Sequence, residues 1–466
     1  MRWMPPTCRA SSSLEALKAY SVGFNLQTTA GDAQALPSYK RAVELDPNFA
    51  LAHADLGLVY GNIGEMKLSE DYLRKAFELR DRVSDVERFR ITAFYYAFVT
   101  GELEKENETY DLWKQAYPRD PLPHHDLGVN YVDFGQFDKA LSEYQTARHL
   151  DPRNALTSAN LCLLYAWMNR FDEAKSILQD ARNHNQEHVN LTLCDYQLAF
   201  HRNDTAEMQR AVAWSAGRPG DEGLMLIVES ATQAYFGHME KARDLQRRAR
   251  DSEVRNGLKE EAANMGVAGA LREALLGNMQ SSRRELTAAL TTGERIDELG
   301  ALTLATTGES SRAQKLADDL LMRRPSDTFV QGVELPVIRA QIELDQGKPL
   351  QAVETLGNAA LSGMGPCHRL SEFAWCLPFW SGMAYLRTRQ GAAAVERFQE
   401  LLNHRGMLAN SLLVPLAQLG LARSYVLTGD TSKARTAYQD FLAVWKDADP
   451  DIPVLKQAKD EYAKLQ

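Results

Sequence analysis

The sequence predicts an all-α fold, a superhelical solenoid of about twelve helix pairs with a C-terminal capping helix. Three observations carry this prediction. A block of small and aromatic residues recurs every 34 positions, a period typical of stacked helix pairs. The same frame extends back to the first copies in the chain. Beyond residue 217, a glycine and small residues recur at intervals of 31 to 40 positions, so the pairs continue with longer links.

The clearest copies of the block define a regular array. They are Leu127, Gly128, Tyr131, Ala140, Tyr144 and Ala147, followed by Leu161, Cys162, Tyr165, Ala174, Leu178 and Ala181. Earlier copies are Val22, Gly23, Ala35, Tyr39 and Ala42, and Leu56, Gly57, Tyr60, Ser69, Leu73 and Ala76. We assign this array to residues 14–216, with repeats that start near Ala16, Ala50, Glu87, Pro121, Ala155 and Val189. Residues 1–13 precede it and are expected to be disordered.

One link in the regular array is longer than the others. The interval from Ala76 to Ala147 is 71 residues, three more than two periods. We place the extra residues in the polar turn at residues 83–86, because a turn can lengthen without disturbing either helix.

A divergent array is predicted for residues 217–446. Residues 217–220 read Gly-Arg-Pro-Gly, which is a strong turn signal at its start. Residues 361–379 interrupt the helical pattern and are predicted to form a long loop. Near the end of the chain, Asp449 and Pro453 supply capping and first-turn signals for a helix in residues 447–466. Such a helix would cover the apolar face of the last repeat.

Composition and charge exclude several classes of partner. The 466 residues are 25% charged and 44% hydrophobic, which is typical of a soluble globular chain. The net charge of -9 opposes binding to a phosphate backbone, so no nucleic-acid partner is expected. The arginine-rich run at residues 243–250 is interpreted as the solvated face of an amphipathic helix. No stretch reaches about 18 uninterrupted apolar residues, and no membrane span is predicted.

The cysteines suggest a reducing compartment. The five residues are odd in number and contain no C-x-x-C pair, so no disulfide framework is expected. Cys162 occupies a position where the repeat requires a small residue, which packing alone explains. We therefore predict a cytoplasmic protein. The alternative is an extracytoplasmic location, if the chain is normally joined to an upstream membrane helix.

Short motifs that resemble catalytic sites have simpler interpretations. His184, Glu187 and His188 match the H-x-x-E-H zinc pattern, but they lie between two repeats and leave the third ligand unidentified. The triplet Asp133-Phe134-Gly135 spells the magnesium-binding motif of kinases, yet Gly135 falls where the repeat needs a turn. No glycine-rich phosphate loop or catalytic loop accompanies it. We predict no catalytic residue, no metal and no cofactor, and hence no enzyme.

The recurring block resembles the tetratricopeptide repeat (TPR), and this resemblance covers essentially the whole chain. Residues 13–20, 42–50, 78–84 and 445–453 are also similar to the TPR region that follows the catalytic domain of bacterial Hanks-type serine/threonine kinases, notably those of acidobacteria. Similar arrays follow winged-helix DNA-binding domains. Neither partner domain is present in the sequence, so this resemblance implies a sensor or scaffold region without catalytic residues.

The repeat family also implies where a partner binds. In such arrays the first helix of each pair, helix A, lines the concave face. Aromatic side chains there suit the capture of a peptide or a helix, because they bury a large area at a small cost in entropy. The alternative for each residue is a place in the core between repeats. The inward positions are Tyr20, Phe24, Asn62, Arg88, Tyr95, Phe98, His125, Asp133, Trp167, Phe200 and His201.

Two functional hypotheses follow, beside a third, a metal-dependent hydrolase, that rests only on His184 and His188. The first is a non-enzymatic scaffold that binds a protein or peptide on the concave face of the solenoid. The second is the regulatory region of a serine/threonine kinase, or of a winged-helix regulator, whose other domain lies elsewhere. Formation of homo-oligomers is left open by the sequence.

Overall fold

The computed structural model describes residue 11, residues 13–360 and residues 376–465, and these residues form helices without any strand. The first twelve α-helices are α1 Leu14–Thr29, α2 Asp32–Leu45, α3 Ala50–Asn62, α4 Met66–Leu79, α5 Asp85–Phe94, α6 Leu103–Ala116, α7 Leu122–Asp133, α8 Phe137–Leu150, α9 Ala155–Trp167, α10 Phe171–Asn183, α11 Val189–His201 and α12 Thr205–Ser215.

The second part of the chain continues in the same way. Its α-helices are α13 Asp221–Tyr235, α14 Met239–Arg255, α15 Lys259–Leu275, α16 Met279–Leu290, α17 Asp297–Thr306, α18 Ser310–Arg323, α19 Leu335–Asp345, α20 Pro349–Gly357, α21 Leu377–Arg387, α22 Gly391–Asn403, α23 Arg405–Leu408, α24 Leu413–Thr428, α25 Thr431–Val444 and α26 Pro453–Ala463. Among the described residues, consecutive helices pack as twelve antiparallel pairs, with α23 a short link and α26 a final single helix. The predicted all-α solenoid is confirmed.

The helices form an inner and an outer layer. In the inner helices α3 and α9, 10 of 13 residues are buried, so these helices are covered on nearly all sides. In the outer helices α4 and α10, only four residues are buried, and they lie along one stripe. This is the pattern of an amphipathic helix that covers a core on one side and faces solvent on the other. The first helix of each pair belongs to the inner layer.

Small residues set the distance between the helices of a pair. A methyl group on Gly128 of α7 would lie 2.6 Å from the ring of Tyr144 on α8, which is closer than real contacts allow. Tyr144 is buried and fills the space that the glycine leaves. Gly135 ends the pair's inner helix with a φ of +70°, a conformation that glycine adopts at little cost. The kinase-like triplet is therefore part of a turn.

Two irregular helical segments lie in the lengthened repeat. The inner helix α5 has 10 residues and its π-helical extension has 6, against 13 residues in α3, so the three extra residues lie in this helix and their predicted place in the turn is wrong. A 3₁₀ turn covers Arg80–Arg82, directly before the predicted insertion at residues 83–86. Tyr95–Thr100 forms a π-helical segment at the end of α5, which the sequence did not predict. A second π-helical segment, Val330–Glu334, precedes α19. Because π-helical turns hold more residues than α-helical turns, they accommodate insertions within a helix.

Two boundaries predicted from the sequence fall partly outside the described residues. Of the segment 1–13, the structure describes residues 11 and 13, and the Ser13 side chain caps α1 by accepting a hydrogen bond from the backbone of Ala16. Of the predicted loop at residues 361–379, residues 361–375 lie outside the described residues. The prediction is wrong at its end, because α21 already begins at Leu377 and buries Leu377 and Phe379.

A disulfide joins two inner helices, which corrects the expectation of no disulfide. Cys162 on α9 and Cys194 on α11 are bonded, with their Cα atoms 6.3 Å apart. Both residues are fully buried. Cys376 is disulfide-bonded as well. Cys162 and Cys194 are 32 residues apart, close to one repeat period, so they occupy neighbouring positions on adjacent inner helices.

Distant helix pairs contact each other along a line that we call the seam. Its hydrogen bonds join residues separated by 178 to 237 positions, so later repeats lie against earlier ones. In its N-terminal part, Glu65 accepts hydrogen bonds from the backbone N–H groups of Glu260 at 2.9 Å and Glu261 at 3.3 Å. In return, Glu260 accepts one from the backbone of Lys67 at 3.1 Å. Two helix N-termini therefore cap each other.

The remaining part of the seam uses backbone and apolar contacts. Thr328 donates a backbone hydrogen bond to Gly101 at 2.9 Å, and Val454 donates one to Leu276 at 3.2 Å. The buried indole of Trp445 donates to the Tyr235 carbonyl at 2.9 Å. One continuous apolar cluster runs across this part, and it includes Met239, Leu276, Trp445, Ile452, Val454 and Leu455. The final helix α26 is held by these contacts.

Candidate functional site

A row of polar side chains follows the inner layer at intervals of 35 residues. The Tyr20 hydroxyl donates to Asp55 at 2.6 Å. The guanidinium of Arg90 pairs with the other carboxylate oxygen of Asp55 at 3.0 Å. Both Asp55 and Arg90 are buried, and burial raises the pKa of Asp55 although Arg90 opposes that shift. The row links the first three repeats across their inner helices.

The row continues with neutral groups in the next two repeats. His125 is buried, and its Nδ1 atom lies 3.0 Å from the Thr157 hydroxyl. Its Nε2 atom lies 3.5 Å from the Asn160 amide nitrogen. Burial lowers the pKa of His125 to about 4, so the imidazole is neutral at pH 7. His125 therefore acts here as a hydrogen-bonding residue of the interior.

The aromatic residues predicted for the first groove positions are partly covered by their neighbours. Tyr20 packs against Phe49, with ring centroids 5.1 Å apart, while Phe24 lies 5.4 Å from the Arg90 guanidinium. Phe98 fills the space beside Gly61, where a methyl group would meet its ring at 2.4 Å. Each of the three keeps part of its surface accessible.

Two further predicted residues are Asn62 in the second helix pair and Tyr95 in the third. Tyr95 stacks on Phe77 with ring centroids 3.9 Å apart and is partly covered. Asn62 is exposed, and its amide donates to Asp32 at 3.1 Å. Arg88 is exposed on α5 and pairs with Asp85 at 2.7 Å, so it lies away from the buried row.

The predicted residues of the later repeats lie close to the seam. Trp167 is partly buried and packs against two apolar clusters, one of which extends into the C-terminal repeats. Phe200 is buried and meets the ring of Tyr235 edge-on at 5.1 Å. Burial lowers the pKa of the neighbouring His201, and Arg405 adds to that shift. These side chains face the helix pairs that the seam brings together.

One inner helix keeps an accessible acidic surface. On α7, Asp126, Val129 and Asp133 follow each other at helical spacing and are at least partly exposed, with Val129 at 36%. Asn130 lies beside them, and its amide donates to Asn107 of α6 at 2.9 Å. Asn130 itself is buried, so the surface that we call the acidic face is formed by Asp126, Val129 and Asp133. Of its members, Asp133 alone was predicted from the repeat positions.

Sequence reasoning missed the polar residues beneath this face. Glu106 and Tyr110 on α6 are buried, although charged residues in helices usually face solvent. Asp55 and Arg90 were missed for the same reason. The spacing of 35 residues from Tyr20 through Asp55 and Arg90 to His125 and Asn160 is the signal that could have found the row.

Sequence profiles agree with this architecture. Profiles of the tetratricopeptide repeat match residues 32–64, 50–82, 131–191 and 381–451. These segments are tetratricopeptide repeats. The fold is therefore a TPR-type solenoid, and the inner and outer helices are helices A and B of its repeats.

Several solved structures resemble the chain at low sequence identity. The APC/C hetero-tetramer Cut9-Hcn1 is 14% identical with a TM-score of 0.33, over 96% of this chain and 95% of that chain. A human IFIT1 dimer with PPP-AAAA is 14% identical with a TM-score of 0.38, over 93% and 91%. YrrB, a TPR protein with an unusual peptide-binding site, is 22% identical with a TM-score of 0.23, over 40% and 91%. No curated protein matches the sequence.

The zinc-like histidines lie on different elements of the TPR array. His184 is exposed after the end of α10, and its Nδ1 atom lies 2.8 Å from the Asp180 carbonyl. His188 is buried, and its Nδ1 atom accepts a hydrogen bond from the backbone of Asn190 at the start of α11. Within the described ranges, no group of three or more histidine, cysteine or acidic residues could hold a metal ion. No helix there is long and apolar enough to span a membrane.

Proposed function

We propose that this TPR chain is a non-enzymatic scaffold that binds a peptide or protein segment on its inner layer, centred on the acidic face of α7. The observation that carries the proposal is a contrast between inner helices. Whereas α3 and α9 are covered on nearly all sides, α7 buries six of its 12 residues and keeps Val129 exposed. α7 is thus more accessible than α3 and α9, and an accessible inner helix is where a partner has room to bind.

The surroundings of the acidic face suit an extended ligand. Half-buried aromatic rings, among them Phe24, Tyr95 and Trp167, lie on the same layer and offer apolar area. Polar groups such as Asn62 and Asn160 can bond to a peptide backbone. In this proposal, the other predicted groove residues pack behind these groups and hold them in place. They are Tyr20, Phe98, His125, Phe200 and His201.

A peptide-selection experiment tests this function. The purified full chain selects binders from a random displayed peptide library, and recovered peptides are titrated against the wild type and Val129→Trp. We expect Val129→Trp to weaken binding at least tenfold, because the indole blocks the acidic face. Val426→Trp is the matched control, since Val426 is an exposed valine on α24, another inner helix. Equal binding by all three proteins would exclude the acidic face as the site.

The disulfide favours the extracytoplasmic alternative for location. Disulfides persist mainly in oxidising compartments, and Cys162 and Cys194 form one inside the inner layer. With the similarity of four segments to kinase TPR regions, this supports a sensor region on the outer side of a membrane as the second candidate function. Alkylation of thiols under denaturing conditions, on protein from its native host, tests the location. Free Cys162 and Cys194 thiols would refute it.

A further inference from the structure

Asp126 of the acidic face meets a buried carboxyl group from the neighbouring repeat. Glu106 lies on α6 and Asp126 on α7, and the Tyr110 hydroxyl lies beside both. Glu106 is only 4% exposed, and its Oε2 atom has no hydrogen-bond partner in the described part of the chain. An unsatisfied buried carboxylate oxygen costs free energy. Tyr110 and Asn130 donate to the Glu106 carboxyl group, but they leave its Oε2 atom without a donor.

The charges around this pair are mostly negative. The charge of Asp133 raises the pKa of Glu106. Asp55 and Asp120 raise the pKa of Asp126, whereas Arg90 lowers it. Arg90 is the one cation among these groups, and its guanidinium is already paired with Asp55 at 3.0 Å. No cation of this cluster is therefore left to pair with Glu106 and Asp126.

The protonation of the pair reflects this environment. Burial raises the pKa of Glu106 to about 8, and the neighbouring Asp126 carboxylate adds to the shift. Burial likewise raises the pKa of Asp126 to about 7, although Arg90 opposes this shift. Near neutral pH the two groups hold protons that a bound cation would displace.

We propose that Glu106 and Asp126 receive one lysine or arginine side chain of a peptide bound on the acidic face. This inference rests on the proposed function and specifies the ligand chemistry of the same site. A basic side chain carries several N–H donors at the end of a long apolar stem. Its head can satisfy the Glu106 oxygen while its stem lies along the exposed Val129. Within the part of the chain that the structure describes, these carboxyl groups belong to no group of three or more ligands that could hold a metal ion.

Binding of a basic side chain is coupled to proton release. The carboxylates must be ionised to pair with the cation, so affinity rises as pH increases from 6 to about 8.5. The histidine in the neighbouring row does not interfere, because His125, with a pKa of about 4, stays neutral over this range. A peptide with neutral side chains should show no such dependence.

Titration with pentalysine tests the site, and pentaglutamine serves as the neutral peptide. Calorimetry in two buffers of different ionisation enthalpy at pH 7.5 measures the protons released. We expect Glu106→Gln and Asp126→Asn each to weaken pentalysine binding at least tenfold and to reduce the proton release. Glu108→Gln is the matched control, because Glu108 is exposed on the same helix and its substitution makes the same change in net charge.

Three outcomes overturn the proposal. They are no pentalysine binding by the wild type at pH 8.5, equal losses in Glu108→Gln and Glu106→Gln, and binding without proton release. Both amide variants should remain folded, since they remove buried charge, and melting curves verify this. Failure of the proposed function is recognised separately, because then no library peptide depends on Val129. If library peptides bind at Val129 but Glu106→Gln has no effect, only the basic-residue site is refuted.

Discussion

The two ends of the seam are held together by different forces. In the N-terminal part, the contacts are the reciprocal caps of Glu65 and Glu260 and the ion pair of Arg295 with Glu70. Within the described residues, no apolar cluster joins residues before 100 to the repeats beyond residue 215, whereas Leu103 of α6 already belongs to the cluster of the later repeats. In the C-terminal part, Trp445 and its neighbours belong to one cluster that spans both sides.

One architecture thus combines a firm contact with a contact that can be released. The free energy gained by burying apolar surface is roughly proportional to the buried area and largely independent of pH. The C-terminal part is therefore a lasting attachment. Hydrogen bonds between polar groups contribute little net free energy, because water replaces them when the contact opens. The residues before 100 therefore form the part that can separate from the later repeats. The acidic face of α7 lies on the fourth helix pair, where Phe134 and Phe137 pack against the C-terminal cluster.

The strongest test of this comparison is Trp445→Ala. The indole is 2% exposed, stacks near Phe441 and bonds to the Tyr235 carbonyl, so its removal should cost about 3 to 5 kcal/mol of unfolding free energy. Denaturant titration measures the loss. Trp214→Ala is the control, since Trp214 is a half-buried tryptophan outside the seam. An equal loss in the control would refute a special role of the C-terminal part.

A second test uses pH, because three carboxyl groups of the N-terminal part titrate together. Burial raises the pKa of Glu253 to about 8 and those of Glu260 and Glu261 to about 7, compared with 4.5 for free glutamate. Their stabilising contribution is complete below pH 4.5 and disappears as the pH rises through 7 to 8. Glu65, Glu222 and Glu294 add negative charge there, whereas Arg255, Arg295 and Lys40 oppose it.

Hydrogen exchange measures this effect at single amides. Between pH 6.5 and 8.5, protection factors of the Glu260 and Glu261 amides should fall, while that of Val454 in the C-terminal part should not. Glu253→Gln should flatten the dependence, because both carboxylate oxygens of Glu253 lack partners. Parallel loss of protection at Val454 would show that the two parts of the seam open together.

A smaller effect is expected from Glu65→Ala. The substitution removes the side-chain acceptor of two N–H groups at the start of α15, and such caps contribute about 1 kcal/mol. Faster exchange at the Glu260 and Glu261 amides would report the lost cap. Glu78→Ala, on the exposed side of α4, should leave these amides unchanged. Unchanged exchange in Glu65→Ala would exclude mutual capping.

The smallest effect is expected for Arg295→Ala. Its ion pair with Glu70 is partly exposed, and such pairs contribute about 0 to 1 kcal/mol because water and salt screen them. Urea titration at low and high salt measures the difference. A loss well above about 1 kcal/mol would mean that the N-terminal part is held more firmly than its polar contacts suggest.

Much of the fold could be predicted from local pattern. The positions of Gly128 and Ala140 in the 34-residue block predicted a close helix pair, and the structure packs Tyr144 against Gly128. The glycine at 135 predicted a turn. The disulfide could not be predicted in the same way, because Cys162 also satisfies the repeat's need for a small residue. Its bond to Cys194 depends on how adjacent inner helices are aligned.

The candidate site was predicted less completely. Asp133 on the acidic face follows from the repeat position, but Glu106 and Asp126 do not, since an acidic residue in a helix normally indicates a solvated face. Whether aromatic rings such as those of Phe98 and Phe200 line a groove or pack inside depends on the covering of each inner helix by later repeats.

The helix pairs, their two layers and the TPR identity of the best copies follow from the sequence. These properties depend on spacing within one repeat and on contacts between neighbours, which a local pattern encodes. The seam, the acidic face and the contact of Glu106 with Asp126 become visible in the folded chain. Each repeat is rotated slightly relative to the one before it, and these rotations add up along the array. An irregular turn, such as the π-helical segment at Tyr95–Thr100, therefore changes which distant residues meet at the seam. The sequence of one repeat does not reveal the sum of these rotations, so the contacts at the seam cannot be predicted from it.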